Sequence, residues 1–170
     1  MKLFPLVAAL LGITTTAWAA TSTSLSGTWR QIYSNAYVQT TREVDWRCIK
    51  AYVIENETGV YIHKIARLHG GPATVVTPVF AVRVKDNKMT VHHTSVETPV
   101  KRDTLYDIHE FSNDTVIITG EDNPALYVWT RDGSRDEGGV DIPRLMAFVD
   151  KIGFKLNATD IVPTYDKNAC

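Results

Sequence analysis

The chain is short of cysteine, of long apolar runs and of charge of one sign, and each shortage excludes something. Only Cys48 and Cys170 occur among 170 residues, too few for a scaffold built on many disulfides, and a chain this long can bury a core without such help. The main apolar stretch, residues 3–13, is interrupted by Pro5 and Gly12 and is shorter than the roughly 20 residues of a membrane-spanning helix. Eighteen basic against 19 acidic side chains give a net charge of −1. No basic block or stripe is present, so nucleic acid is not an expected partner. Motifs of catalysis and metal binding are missing too. Of His63, His69, His92, His93 and His109, none forms a His-x-His or helical i, i+4 pair, and the adjacent His92 and His93 on a strand point to opposite faces. Serines such as Ser34 and Ser95 stand in no nucleophile elbow. The expectation is therefore no catalytic residue, no metal and no cofactor.

What is present begins with a leader. Lys2 precedes the apolar run and Ala17-Trp18-Ala19 forms a small-x-small site, the pattern of a secretory signal peptide over residues 1–19 cut after Ala19, leaving one domain at 20–170. Loss of Lys2 leaves 17 basic side chains and a net charge of about −2. In an oxidising compartment the even pair Cys48 and Cys170 reads as one disulfide, the alternative being a lone reactive thiol. Sequons at Asn56, Asn113 and Asn157 mark exposed sites for glycans if the host attaches them.

Segments rich in Val, Ile, Thr, Tyr and Phe, cut by Gly, Pro, Asn and Asp, predict strands at 29–38, 44–55, 59–68, 74–85, 88–96, 103–111, 115–120 and 125–131. Their connections alternate. Turns at 56–58, 86–87 and 112–114 are tight and polar, whereas those at 39–43, 69–73, 97–102 and 121–124 are longer. In an up-and-down arrangement the two kinds fall at opposite ends. Eight such strands close most simply into an antiparallel barrel, which removes the edges and leaves room for one small ligand, a two-sheet sandwich being the other solution. Residues 140–152 change period. Ile142, Leu145, Met146, Val149 and Ile152 form one helical stripe, with Asp141 as cap, Pro143 in the first turn and Gly153 at the stop. This helix is expected to pack outside the sheet, and it carries too few cations for a membrane surface.

Three groups of residues carry a resemblance. Gly27-Thr28-Trp29 is similar to the first signature of the lipocalin family, and Tyr127-Val128-Trp129-Thr130-Arg131 to the end of its last barrel strand. The helix, Gly153-Phe154 and terminal Cys170 resemble the family's exit from the helix, short ninth strand and C-terminal disulfide. The whole mature chain resembles the apolipoprotein D and bacterial lipocalin branch most. Asn123-Pro124-Ala125 departs from the family's second signature. The resemblance implies that Gly27, Trp29 and Arg131 form the closed floor, with the arginine over the indole. Barrel connectivity requires the same meeting, because the first strand starts and the eighth ends at one end of the barrel.

The resulting expectation is a secreted, extracellular binding protein for a small hydrophobic molecule such as a fatty acid, sterol, retinoid or pigment, without stable membrane insertion and with no protein partner identified. Candidate pocket liners are Tyr33, Tyr37, Phe80, Met89, Tyr106 and Ile108. Each fits plain core or the helix-facing side equally well, since a one-residue register change reverses the face. An isomerase or de-epoxidase on this fold and a protein-interaction module are the alternatives.

Overall fold

The computed structural model describes residues 24–68, 74–85, 87–93, 102–134, 139–166 and 170. The leader at 1–19, the links at 69–73 and 97–101 and the expected end of the fifth strand beyond His93 lie outside the described residues. The elements are β1 (Gly27–Asn35), α1 (Ala36–Thr41), β2 (Trp46–Asn56), β3 (Gly59–Leu68), β4 (Thr74–Lys85), β5 (Lys88–His93), β6 (Arg102–Ser112), β7 (Thr115–Gly120), β8 (Leu126–Arg131), α2 (Ile142–Lys151) and β9 (Ile161–Pro163). Successive strands pair antiparallel from β2 to β8, and β1 pairs with both β8 and β2. The sheet is therefore a closed eight-stranded barrel, without the exposed edges that would template association.

One segment read as strand is helix. The end of the first predicted strand turns into α1, although Tyr, Val and Thr favour strands. Asn35 overrides that preference. Its side chain accepts the Val38 N–H at 3.3 Å and the Leu126 N–H at 3.2 Å and donates to the Pro124 carbonyl at 2.5 Å, so it caps the helix and pins it to the start of β8. Burial of Val38, fully enclosed within the barrel, completes the turn across the open end.

Two cores result from the alternation of each strand. Trp29, Ala51, Val53, Val60, Ile62, Ala81, Met89, Val91, Tyr106, Ile108, Val116, Ile118, Tyr127 and Trp129 fill the interior. Ile32, Ile117, Leu126 and Val128 face outward and are covered by Leu145 and Val149 of α2. The helix is capped by Asp141, which accepts the Arg144 N–H at 2.9 Å, and Gly153 ends it with φ at +79°. No helix among the described residues is long and apolar enough to cross a membrane.

β1 serves three neighbours because it bends. A register shift between Gln31 and Tyr33 lets its first half pair with β2 and its second half with β9, while β8 runs along the other edge. Thr164, just after β9, wedges into the gap: it donates to the Gln31 carbonyl from its hydroxyl at 2.6 Å and to the Ile32 carbonyl from its N–H at 3.0 Å, and accepts the Cys48 N–H at 2.8 Å. Cys48 is bonded to Cys170, which holds that wedge in place.

The closed end is built on Trp29. The Arg131 guanidinium lies 4.4 Å from the indole centroid, and the two residues are register partners. The indole N–H donates to the Leu25 carbonyl at 2.7 Å and Arg131 donates to the carbonyls of Ser26 and Ser24 at 3.0 and 3.3 Å. Gly27 is required here. Its φ is +121°, and a Cβ would stand 3.0 Å from the arginine. Glu55 fixes the same segment, accepting the Leu25 N–H at 3.0 Å and the Arg83 Nε–H at 2.5 Å. Burial alone would raise the Glu55 carboxyl, but these bonds outweigh it and hold the group below its usual range. A carboxyl that binds protons less readily folded than unfolded stabilises the fold at neutral pH, and that contribution disappears as pH falls through the ordinary carboxylate range toward the lower folded value. Glu55→Gln should therefore cost about 1 kcal/mol at neutral pH, discounted for the solvent that reaches the pair. The variant and the parent should converge at strongly acid pH in urea titrations.

Candidate functional site

Inside the barrel, above the Trp29 floor, lies a pocket lined by Ile62, Lys64, Val79, Met89, Val91, Tyr106, Ile118, Tyr127 and Trp129, with a cavity volume of about 60 Å³. Strands β3 to β8 each send alternate side chains into it, as the two-residue period of a strand requires. A second cavity of about 210 Å³ adjoins it toward the open end, lined by Arg42, Glu43, Trp46, Lys64, Thr77, Val79 and Tyr127. Lys64, Val79 and Tyr127 belong to both, so apolar interior and polar mouth form one continuous site.

A line of hydrogen bonds runs along its wall. Lys64 Nζ pairs with Glu43 Oε1 at 2.5 Å, Glu43 Oε2 accepts from Gln31 Nε2 at 2.5 Å, and Gln31 Oε1 accepts from the Trp129 indole N–H at 3.1 Å. Gln31 and Glu43 are 1% and 3% exposed, so these bonds are what makes their burial tolerable. The Lys64 ammonium also lies 4.6 Å from the Tyr127 ring centroid and 5.3 Å from that of Trp129. The Tyr106 and Tyr127 rings meet edge-on at 6.1 Å. Burial pushes both phenols up, that of Tyr127 furthest, so both stay neutral. Arg42 reaches over the Tyr106 ring at 6.0 Å.

The sequence-derived liners divide. Met89 and Tyr106 line the inner pocket, Ile108 is buried in the interior core, and Tyr37 packs against that core from α1. Tyr33 and Phe80 do not face the interior. The shift in β1 turns Tyr33 outward, where its hydroxyl donates to the Val140 carbonyl at 3.3 Å among the residues under α2. Phe80 lies on the outer face between Tyr61 and His92, at ring-centroid distances of 5.0 and 5.8 Å. Residues 79 to 82 of β4 read Val-Phe-Ala-Val, apolar on both faces, so alternation could not tell inside from outside there.

Sequence reasoning missed Lys64, Glu43, Gln31 and Tyr127. For Lys64 a signal existed: Val60, Ile62, Lys64 and Ala66 share the inward face of β3, so one cation interrupts an otherwise apolar row. Glu43 had none, because only the tertiary fold carries its segment into the mouth. Among the described residues no group of three or more His, Cys, Asp and Glu side chains is placed to hold a metal ion.

A closed up-and-down barrel with a Trp–Arg floor, a capped outer helix and a ninth strand beside the first is the lipocalin fold. Solved structures similar to this chain are lipocalins: insecticyanin from the tobacco hornworm Manduca sexta, 8% identical over 88% of this chain and 85% of that one with a TM-score of 0.61, and lobster apocrustacyanin A1, 10% identical over 85% and 79% with a TM-score of 0.62. Japanin from Rhipicephalus appendiculatus, whose structure holds cholesterol, is 13% identical over 88% and 98% with a TM-score of 0.55. No family model matches the chain, and no curated protein matches it in sequence.

Proposed function

We propose that this protein is a secreted carrier that holds one small hydrophobic molecule in its barrel and does not turn it over. The observation that carries the reading is the inner pocket, in which Lys64 is the single charged liner among the described residues, set among aliphatic and aromatic side chains. Such a pocket binds by removing apolar surface from water, about 25 cal/mol per Å² buried, while a few polar groups set orientation. The leader-like residues 1–19 and the disulfide support secretion, and the exposed Asn56, Asn113 and Asn157 are the sites at which we expect glycans. Gly27, Trp29, Arg131 and the terminal disulfide support placing the chain with the apolipoprotein D and bacterial lipocalins.

Trp129 lines the pocket, which supplies a test. Titration of delipidated protein with fatty acids, sterols and retinoids should change the tryptophan emission saturably for at least one class, and Trp129→Phe should remove most of that signal while calorimetry still detects binding. Product formed from any of them moves the answer to an enzyme. No binding by any class rejects the carrier reading and leaves a protein-interaction role.

A further inference from the structure

The arrangement around the Lys64 ammonium is that of a ligand site already filled. Two aromatic faces, Tyr127 and Trp129, lie at 4.6 and 5.3 Å, and the Glu43 carboxylate lies at 2.5 Å. Aromatic rings with a carboxylate are how proteins recognise alkylammonium groups. The carboxylate is also the fixed partner of the pair. Glu43 is bonded by Gln31 from β1, and Gln31 by the Trp129 indole, whereas Lys64 is held from β3 by a long flexible stem. The ammonium stands where the apolar pocket and the polar mouth join, since Lys64 and Tyr127 line both. A ligand with an apolar body in the inner pocket would therefore bring its polar end to this point.

We propose that Lys64 is an internal stand-in for the cationic end of the ligand, and that the protein binds amphiphilic amines, whose ammonium group displaces that of Lys64 from the Tyr127–Trp129–Glu43 cage. This rests on the carrier reading and names its ligand class. Beside Glu43 one ammonium replaces another, so the buried carboxylate keeps a partner. The site as a whole gains one positive charge, and the released lysine head carries its own into the mouth cavity toward solvent. An amphiphilic carboxylate fares worse. To reach Lys64 it must bring a second anion against a buried Glu43 whose other oxygen is already bound to Gln31, which costs like-charge repulsion. A neutral alcohol gains the apolar burial but leaves the cage to the lysine.

The test compares octylamine, octanol and octanoate by calorimetry on the delipidated full chain at neutral pH. Octylamine should bind at least tenfold more tightly than the other two. Lys64→Met keeps the apolar stem and removes the competing ammonium, so it should tighten octylamine binding about tenfold and change octanol binding little. If that variant folds poorly because it leaves Glu43 without its cation, the double variant Lys64→Met/Glu43→Gln provides a neutral cage and should bind octylamine no better than octanol. Equal binding of all three by the parent, or tightest binding of octanoate with its loss in Lys64→Met, overturns the amine assignment while leaving a hydrophobic carrier. Absence of binding by all three, with fatty acids, sterols and retinoids also silent, overturns the carrier reading itself.

Discussion

Trp29→Ala should lower the unfolding free energy by about 3–5 kcal/mol, the largest loss expected of any single substitution in this chain. The side chain is 1% exposed and closes the barrel floor, so truncation leaves a cavity that the rigid ring of paired strands cannot collapse to fill. The indole also organises its surroundings. Its N–H holds the Leu25 carbonyl, and its face carries Arg131, which in turn holds Ser24 and Ser26. Arg131→Ala should cost less, about 0.5–2 kcal/mol for the cation–π contact together with its exposed hydrogen bonds. Because both side chains hold one segment, the double variant should lose less than the two single losses added together. A double-mutant cycle in urea that came out additive would show that floor and arginine act separately, against the geometry.

Replacing both cysteines by serine should produce the second large effect. The bond joins residues 122 apart, and closing a loop of that length contributes about 5 kcal/mol through the entropy of the unfolded chain. The measured loss should fall somewhat below that figure. Cys48 has φ at +54°, a left-handed conformation that costs about 1–2 kcal/mol in a residue with a Cβ, and without the bond the backbone there can relax. The damage should be local first. Thr164 bridges β1 and β2 only while the tail is held near Cys48, so limited proteolysis of the serine variant should cut in the segment after α2 before the barrel opens. Equal protection of that segment in both proteins would mean that β9 and the packing of Tyr165 and Ile161 beneath α2 hold the tail unaided.

The architecture was legible because it rests on signals that repeat along the chain. Segments rich in Val, Ile, Thr, Tyr and Phe, cut by Gly, Pro, Asn and Asp, located the strands, four of which start at the residue expected and none of which is missing. The stripe of Leu145 and Val149 with Asp141 before it marked α2. The site was less legible for two physical reasons. A strand's faces can be assigned only while its period holds, and the shift at Gln31 to Tyr33 breaks it, sending Tyr33 outward. Where both faces are apolar, as around Phe80, there is no period to read. Long-range polar partners leave no local mark at all: Glu43 and Lys64 are 21 residues apart, and Gln31 and Trp129 are 98 apart.

The amino-acid order by itself pointed to the eight barrel strands, their up-and-down connection, the outer helix and the meeting of Trp29 with Arg131. Those follow from composition, helical periodicity and the connectivity of a closed barrel, whereas the pairing of Cys48 with Cys170 was expected from an even cysteine count and the family resemblance. Only the tertiary structure decided that α1 crosses the mouth, that Glu43 is drawn inside to meet Lys64, and which aromatic side chains face the pocket. Such choices depend on which of several nearly equivalent local conformations buries most apolar surface and satisfies every enclosed polar group, and that is settled by neighbours far away in sequence.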